Sequence, residues 1–479
     1  MALMRSRRVR PSNTVIVGAG VAGRIVLEEI RKRSDLNYIV RGFVDDNPAL
    51  QGTKVEGLPV LGLTRDLSQL TAELLLEDAI IAMPSVDGQS VRKVADLCRR
   101  AGLETQIVPG VVDVLTGRAN VSAARPVSVE DLLRRDTVVL TDDVRDLFHG
   151  KTVLVTGAAG SIGSELCRIL VDLGTGQLVA FDIDENGVFE LELELGSRSP
   201  RAEVVPVVGS ILSPAKVDWI FETYRPAVVF HAAARKHVPL MESHPEEAVE
   251  TNIVGTKNVA ERALAHRVET FVHISTDKAV EPTSVMGASK RVSELLLQEF
   301  ATRSRSTRFL TVRFGNVIGS RGSVLDVFRR QLAAGGPITV TDPEMTRYFM
   351  SVNEAAVLLL QSVVIGKSGD LLLLDMGEPV RLADLLHDLI TLSGYASEDD
   401  VEIKSIGPRP GEKVHEKLHT ESESLTKTKH PRILRVERED RTPDLHEIDS
   451  LLDRARRMER KELREILFRM AGGTMGAGR

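Results

Sequence analysis

One pattern, written twice, constrains this chain more than any other feature. From Thr14 the apolar run TVIV enters a turn with Gly18, Gly20 and Gly23, passes into the helix-forming RIVLEEIRKR and returns as YIVRGFV before the acids Asp45 and Asp46. From Thr152 the run TVLVT enters a turn with Gly157, Gly160 and Gly163, passes into SELCRILVDL and returns as QLVAF before Asp182. An aliphatic, β-branched run before a turn is a buried strand, and apolar residues spaced three and four apart after it make a helix. Clustered glycines permit the tight turn and a close backbone neighbour. Each copy is therefore strand, turn, helix, strand. The copies lie about one domain length apart, too far for a solenoid repeat and right for two separate domains.

The alternation continues after each copy. AIIAMP, a helix from about Val91 to Ala101 and TQIVPG follow the first; VVPVVGS, AVVFHAAA, FVHISTDKAV and RFLTVRFGNV follow the second. Strands alternating with helices build parallel sheets, and ligands bind beyond the carboxyl ends of their strands. The expected fold class is α/β, with two Rossmann-like doubly wound parallel-sheet domains, the second with a smaller C-terminal substrate-binding part. The expected boundaries are a nucleotide-fold domain over 1–125, a connector over 126–149, a catalytic domain over 150–435, and a charged helix with a mobile tail over 436–479.

Composition narrows the function. The chain has 62 basic and 68 acidic residues and a net charge of −6, which offers no overall basic field for nucleic acid. Its two cysteines, Cys98 and Cys167, stand far apart and outside any CxxC pattern, so neither a disulfide framework nor a thiolate metal site is expected. A reducing cytoplasm fits that usage. The longest apolar run, Ala355 to Gly366, is too short to span a bilayer. The basic opening MALMRSRRVR lacks the apolar stretch of a signal peptide.

The second glycine turn carries the clearer cofactor signal. Gly157, Gly160 and Gly163 allow a pyrophosphate to approach the backbone, while Ser161 and Ile162 open a helix whose N–H groups and dipole favour an anion. Asp182 closes the next strand, where a carboxylate accepts hydrogen bonds from a ribose diol and repels a 2′-phosphate, so NAD is expected over NADP. In the first turn Gly18, Gly20 and Gly23 with Asp45 or Asp46 have equally good spacing but no accompanying catalytic set, and both a nucleotide site and a structural or regulatory relic remain open there.

The TGxxGxxG form of Thr156–Gly163 resembles the extended short-chain dehydrogenase/reductase superfamily. The resemblance extends through HAAARKHVPLME, TNIVGT, STDKAVEPTSVMGASK, RFGNVIGSRGSV, MTRYFM and RPGEK, over roughly residues 140–435, and is closest to the bacterial UDP-N-acetylglucosamine 4,6-dehydratases of polysaccharide biosynthesis. It implies tightly held NAD, with Ala232, Ala233 and Lys290 beside the cofactor. It implies UDP-N-acetylglucosamine as the partner molecule, with Lys236, His237, Asn252, Asn316, Arg321, Arg347, Arg409 and Glu412 near sugar or diphosphate and Lys413 in the same region. Longer members of the family carry a membrane anchor ahead of the first nucleotide-fold domain, so membrane association through such a segment is an expectation, as is a homo-oligomer.

Superfamily members ordinarily use Tyr-x-x-x-Lys on a helix, where the lysine lowers the phenol's pKa so that tyrosinate takes a hydroxyl proton. Here Met286 stands at the Tyr position with Lys290 intact, and a thioether cannot be a base. Thr276, Asp277 and Lys278, at the end of a strand, offer a hydroxyl, an acid and a base instead. A 4,6-dehydratase oxidises C4, removes the acidified C5 proton while protonating the departing 6-hydroxyl, and reduces C6. By resemblance Asp277 is the acid, Lys278 the C5 base and Thr276 the partner of the 4-hydroxyl, and Met286 implies retention at C5. The competing readings are a nucleotide-sugar 4-epimerase or reductase, and a catalytically inactive nucleotide-sugar-binding regulator. Ser210, Arg235 and Asp326 depart from the family's usual pattern.

Overall fold

A computed structural model of the protein describes residues 11–33, 36–83, 86–108, 125–133, 138–196, 202–393, 401–438 and 445–473. The basic opening decapeptide, four residues of the expected connector and the last six residues of the tail lie outside the described residues. The chain divides into two units, Met1–Thr137 with Thr391–Tyr395, and Val138–Ile390 with Ala396–Arg479.

The N-terminal unit is built on β1 (Ser12–Val17), β2 (Tyr38–Val44), β3 (Lys54–Val55), β4 (Leu58–Gly62), β5 (Asp78–Ile81), β6 (Glu104–Ile107) and β7 (Arg125–Pro126), in sheet order β3-β4-β2-β1-β5-β6-β7. β1 pairs in parallel with both β2 and β5, and β5 with β6. Successive residues of a strand face opposite sides. Ile16, Phe43 and Ile80 thus enter one apolar cluster, and Val15, Val17, Val44, Ala79 and Ile81 the other.

The larger unit repeats this plan on a wider sheet. Its strands are β8 (Thr152–Thr156), β9 (Gln177–Asp182), β10 (Glu203–Val208), β11 (Val228–His231), β12 (Thr270–Ile274) and β13 (Arg308–Arg313). Short strands follow: β14 (Asn316–Ile318), β15 (Ile338–Val340), β16 (Thr346–Arg347) and β17 (Phe349–Ser351). The chain then forms β18 (Leu371–Leu374), β19 (Val380–Arg381), β20 (Ile403–Ser405), β21 (Ser424–Lys427) and β22 (Ile433–Glu437). The main sheet runs β10-β9-β8-β11-β12-β13-β18-β22-β21, parallel through β18 and antiparallel at β22 and β21. The strand order reverses between β8 and β11, which opens a crevice at their carboxyl ends. Both faces are covered, so the strands read as continuous apolar runs. Val153, Val155 and Phe230 pack with the helices Ser161–Asp172 and Val352–Ile365, while Leu154, Val229 and Phe271 pack with the helix Val285–Arg303.

The charged C-terminal segment, read from sequence as one helix, is two. Leu445–Arg456 and Arg460–Ala471 are separated at Met458, whose φ of 59° lies in the left-handed region. The second helix is amphipathic, and Leu463, Leu467 and Phe468 bury against the same cluster as Met286 and Val292. Among the described residues no helix is long and apolar enough to cross a membrane, and no group of three or more His, Cys, Asp or Glu is placed to hold a metal ion. Cys98 and Cys167 are both free and buried.

Candidate active site

The site begins where β8 ends. Gly157 has φ +70°, and a Cβ there would lie 2.6 Å from the Ala233 nitrogen; a Cβ on Gly163 would lie 2.0 Å from the Gly157 carbonyl oxygen. Only glycine lets strand, turn and helix meet so closely. Gly160 is the N-cap of the Ser161–Asp172 helix and supplies no capping side chain. At the end of β9 the Asp182 carboxylate accepts from the backbone N–H of Ala159 at 2.9 Å and of Asp184 at 3.0 Å, which fixes its orientation. With Ser210, Ile211, Ala232 and Ala233 it lines a pocket of about 290 Å³.

β12 delivers the second component. Beyond Ile274 the chain turns through Thr276, whose hydroxyl donates to Asp277 Oδ1 at 2.9 Å. Lys278 Nζ donates to the same Asp277 oxygen at 3.0 Å and to Asn316 Oδ1, on β14, at 3.0 Å. Glu416 Oε1 lies 3.5 Å from the same ammonium. Burial opposes the charge on Lys278, but Asp277 and then Glu416 outweigh it and raise the lysine above its ordinary range. Asp277 is fully buried, and its Oδ2 has no hydrogen-bond partner among the described residues. A Cβ on Gly315 would sit 3.2 Å from that oxygen, so the glycine of RFGN gives the carboxylate its room.

The helix Val285–Arg303 supplies the third component. Ser284 caps it by accepting from the Gly287 N–H at 3.1 Å, and Glu242 accepts from the Val285 N–H at 2.7 Å. Met286 and Lys290, four residues apart, share one helix face. Lys290 Nζ donates to the Ile274 carbonyl at 2.6 Å and lies 3.2 Å from His273 Nε2. Burial pulls this lysine down to about 7. Behind it His273 stacks on His231, with ring centroids 5.7 Å apart, and the His231 ring nitrogens bond Thr156 and Thr256 at 2.8 and 2.9 Å. Burial holds His231 down to about 3, and His273 well below its usual range, so both rings are neutral.

These elements enclose a cavity of about 620 Å³, lined by Gly157, Gly160, Ser161, Ile162 and Gly163 on one side and by Thr276, Lys278, Met286 and Lys290 on the other. A second cavity, of about 230 Å³, is lined by Arg347, Arg409, Glu412, Lys413 and Glu416. Lys236, His237, Lys278 and Asn316 stand in the walls of both, so the two are lobes of one cleft. Arg321 borders the larger lobe and the Asp182 pocket.

Two residues expected near the substrate bond the backbone beside the cleft. Asn252 is fully buried; its amide accepts from the Arg235 N–H at 2.8 Å and donates to the Arg235 carbonyl and to Ser289. It fixes the backbone beside the cleft and is absent from the lining of either lobe. Arg347 borders the smaller lobe, but its guanidinium donates to the carbonyls of Thr346, Lys413 and Val414 at 2.7, 2.8 and 3.0 Å and so braces the RPGEK loop. Sequence reasoning also missed Glu416, three residues past Lys413, and the buried pair Glu294–Arg313. Glu294 accepts from Ser275 Oγ at 2.6 Å and from Arg313 at 2.7 Å, tying the start of the Ser275–Lys278 turn to β13. A charged residue in a strand as apolar as RFLTVRF was the available signal.

Comparison with known proteins assigns the chain. Residues 153–438 match the polysaccharide biosynthesis protein family, and residues 1–109 match a CoA-binding domain family. The chain is 41% identical over 432 residues to the probable polysaccharide biosynthesis protein EpsC of Bacillus subtilis, covering 90% of this chain and 72% of that one. The chain belongs to the polysaccharide biosynthesis protein family.

Within and around that family the capsular polysaccharide biosynthesis protein CapD of Staphylococcus aureus is 42% identical, over 87% of this chain and 70% of its own length. The inverting UDP-N-acetylglucosamine 4,6-dehydratase of Campylobacter jejuni is 31% identical over 58% of this chain and 80% of that one. Among solved structures, Pen from Bacillus thuringiensis aligns with a TM-score of 0.56 and 33% identity, covering 62% of this chain and 89% of that one. Family membership places the chain among nucleotide-sugar dehydratases and epimerases of polysaccharide biosynthesis.

Proposed function

We propose that the protein is an NAD-dependent 4,6-dehydratase of UDP-N-acetylglucosamine that retains configuration at C5. The observation that carries the reading is the position of Lys278, at the junction of the glycine-turn lobe and the RPGEK lobe, with Asp277 at 3.0 Å. A dinucleotide fits the first lobe: the turn admits no Cβ at Gly157 or Gly163, Asp182 waits at the end of β9, and Lys290 reaches the same wall. Gly157, Gly160, Ser161, Ile162, Gly163, Asp182, Ala232, Ala233 and Lys290 would hold NAD. Bound there, NAD supplies the hydride acceptor at C4 and the donor at C6.

The remaining steps belong to the chain. Lys278 Nζ and Asp277 Oδ1 lie 3.0 Å apart, within reach of direct proton transfer, and a transfer to Oδ1 gives an amine and an acid, the two forms that elimination needs. The amine takes the C5 proton as the acid gives its own to the departing 6-hydroxyl. As C6 is reduced, Nζ returns its proton to C5 on the face from which it came, and the proton released by the 4-hydroxyl restores Oδ1. Thr276 orients the acid through its hydroxyl bond. Met286 on the cleft wall brings no proton to C5, which supports retention. Arg409 and Glu412 border the lobe that would take the nucleoside diphosphate, with Lys236 and His237 at the junction.

Incubation with UDP-N-acetylglucosamine and NAD is expected to yield a product lighter by one water, and NMR of product formed in D₂O to show C5 configuration retained. Unchanged mass with an inverted 4-hydroxyl would instead establish an epimerase. An L-arabino keto sugar would overturn retention alone.

A further inference from the structure

Lys278 is surrounded more completely than a lone acid–base pair requires. Its ammonium has three hydrogens, and three oxygens from separate segments stand around it: Asp277 Oδ1 at 3.0 Å, Asn316 Oδ1 at 3.0 Å and Glu416 Oε1 at 3.5 Å. Glu416 follows the RPGEK loop, its side chain is 3% exposed, and its second oxygen has no hydrogen-bond partner among the described residues. Lys413 Nζ approaches that oxygen to 3.9 Å. Charge on a carboxylate buried this deeply needs compensating positive charge, and among the described residues Lys278 and Lys413 stand beside it. The charged groups facing Lys278 are Asp277 and Glu416, which favour the ammonium, and Arg347 and Lys413, which oppose it. Tyr348 faces Asp277.

We propose that Glu416 is a positioning residue that sets the proton affinity of Lys278. The assignment deepens the dehydratase reading and rests on it for the role of Lys278 as base. Asp277 trades its proton with Lys278 in the proposed step, so Asp277 cannot by itself set how tightly Nζ holds a proton. Glu416 stands outside that exchange and keeps its attraction for Nζ throughout. It also limits the motion of Nζ within the cleft, between the two lobes.

A carboxylate within about 4–6 Å moves a cationic group by roughly one to three pH units. Removing Glu416 leaves Asp277 alone against burial, Arg347 and Lys413, so the Lys278 titration moves down. The test is the pH dependence of Lys278 acetylation by acetic anhydride in the full chain with NAD present, read by peptide mass spectrometry, with the exposed Lys367 as internal reference. Glu416→Gln is expected to lower the apparent pKa of Lys278 by about one unit or more, with Lys367 unmoved. Glu416→Ala gives the same direction should the glutamine variant fold poorly, and Glu416→Asp keeps the charge and stays near wild type. The acid limb of the pH–rate profile moves to lower pH in parallel, where a purely structural loss would depress the rate evenly at every pH. An unmoved Lys278 in a folded Glu416→Gln or Glu416→Ala protein overturns the proposal, as does an equal shift at Lys367. If wild type does not dehydrate the sugar but the titration shift is present, the dehydratase reading fails and the pairing stands.

Discussion

Gly23 and Gly163 occupy corresponding places in the two units: a Cβ on either would lie 2.0 Å from the carbonyl oxygen of the first turn glycine, Gly18 or Gly157. The acids correspond as well. Asp45 accepts from the N–H of Ala19 at 2.7 Å and of Asn47 at 2.8 Å, as Asp182 does from Ala159 and Asp184 at 2.9 and 3.0 Å. Asp46 instead bonds Thr64, so of the two candidate acids in the first turn Asp45 is the counterpart of Asp182. What differs is the sheet around the turn. In the N-terminal unit the strands after β5 are β6 and the two-residue β7, whereas in the larger unit β11 leads to β12, β13 and β18. β12, which takes the place of β6, leads into Thr276–Lys278, and β13 runs on to Asn316 at the start of β14. A glycine turn with its acid is a general device for receiving a backbone-approaching group, and the reaction is specified by what later strands place opposite it.

The largest expected effect follows from removing that opposition. Lys278→Met keeps the turn, the acid and the cavity wall but takes away the amine, and is expected to lower kcat/KM for dehydration by about 10²–10⁴-fold. A fall of less than tenfold would reduce the larger unit to the same status as its N-terminal counterpart, a receptive turn without assigned chemistry.

The turn was legible because its information is local. TGAAGSIG, the strand before it and Asp182 lie within one stretch of chain, and short-range sterics dictate their arrangement. The same holds for Met286 and Lys290, which one helical turn brings together. The parts that were not legible depend on distant partners. The family resemblance implied Asn252 near the sugar, and only the structure shows Arg235 and Ser289 bonded to its amide. The resemblance implied Arg347 near the diphosphate, and only the structure shows that it lines the smaller lobe while donating to the carbonyls of residues 346, 413 and 414. Glu416 and Glu294 were not singled out, since neither spacing nor residue type announces a cation that arrives from elsewhere in the chain.

Glu294–Arg313 sets the next test, because it is a buried ion pair that ties β13 to the helix Val285–Arg303 beside the site. Both side chains are fully buried, and Glu423 completes the pairing by accepting from Arg313 at 2.9 Å. Arg313→Met leaves two buried carboxylates short of their shared cation and is expected to cost about 3–5 kcal/mol in denaturant unfolding. A loss below about 1 kcal/mol would show that Arg291 and Arg438, both also bonded to Glu294, suffice.

Lys290 gives a smaller effect with a definite sign. Its folded value, about 7, lies below its ordinary 10.5. Between these values the unfolded chain binds more protons than the folded one, so stability rises with pH across that window. Below pH 7 both states are protonated and the burial cost is felt in full. Relative to Lys290→Met, wild type is expected to gain up to about 1.4 kcal/mol per pH unit between pH 7 and 10. A flat or falling difference in unfolding free energies over that range would remove the neutral Lys290 from the account.

The smallest effect tests whether the two acids are equivalent in place yet unequal in function. In Asp45→Asn one amide oxygen can still accept from Ala19 or Asn47, but the amide nitrogen faces the other N–H, and the lost bond is expected to cost about 1 kcal/mol. Turnover is expected to stay at the wild-type value. Asp182→Asn loses the same local bond, but there the charge also faces the pocket beside Ala232 and Ala233, so the Michaelis constant for NAD is expected to rise by roughly tenfold or more, with kcat less affected. The pair of variants removes chemically identical groups from geometrically matched turns. Equal effects on NAD would mean that both turns serve the reaction, and the difference between the units would then have to lie in what each turn binds.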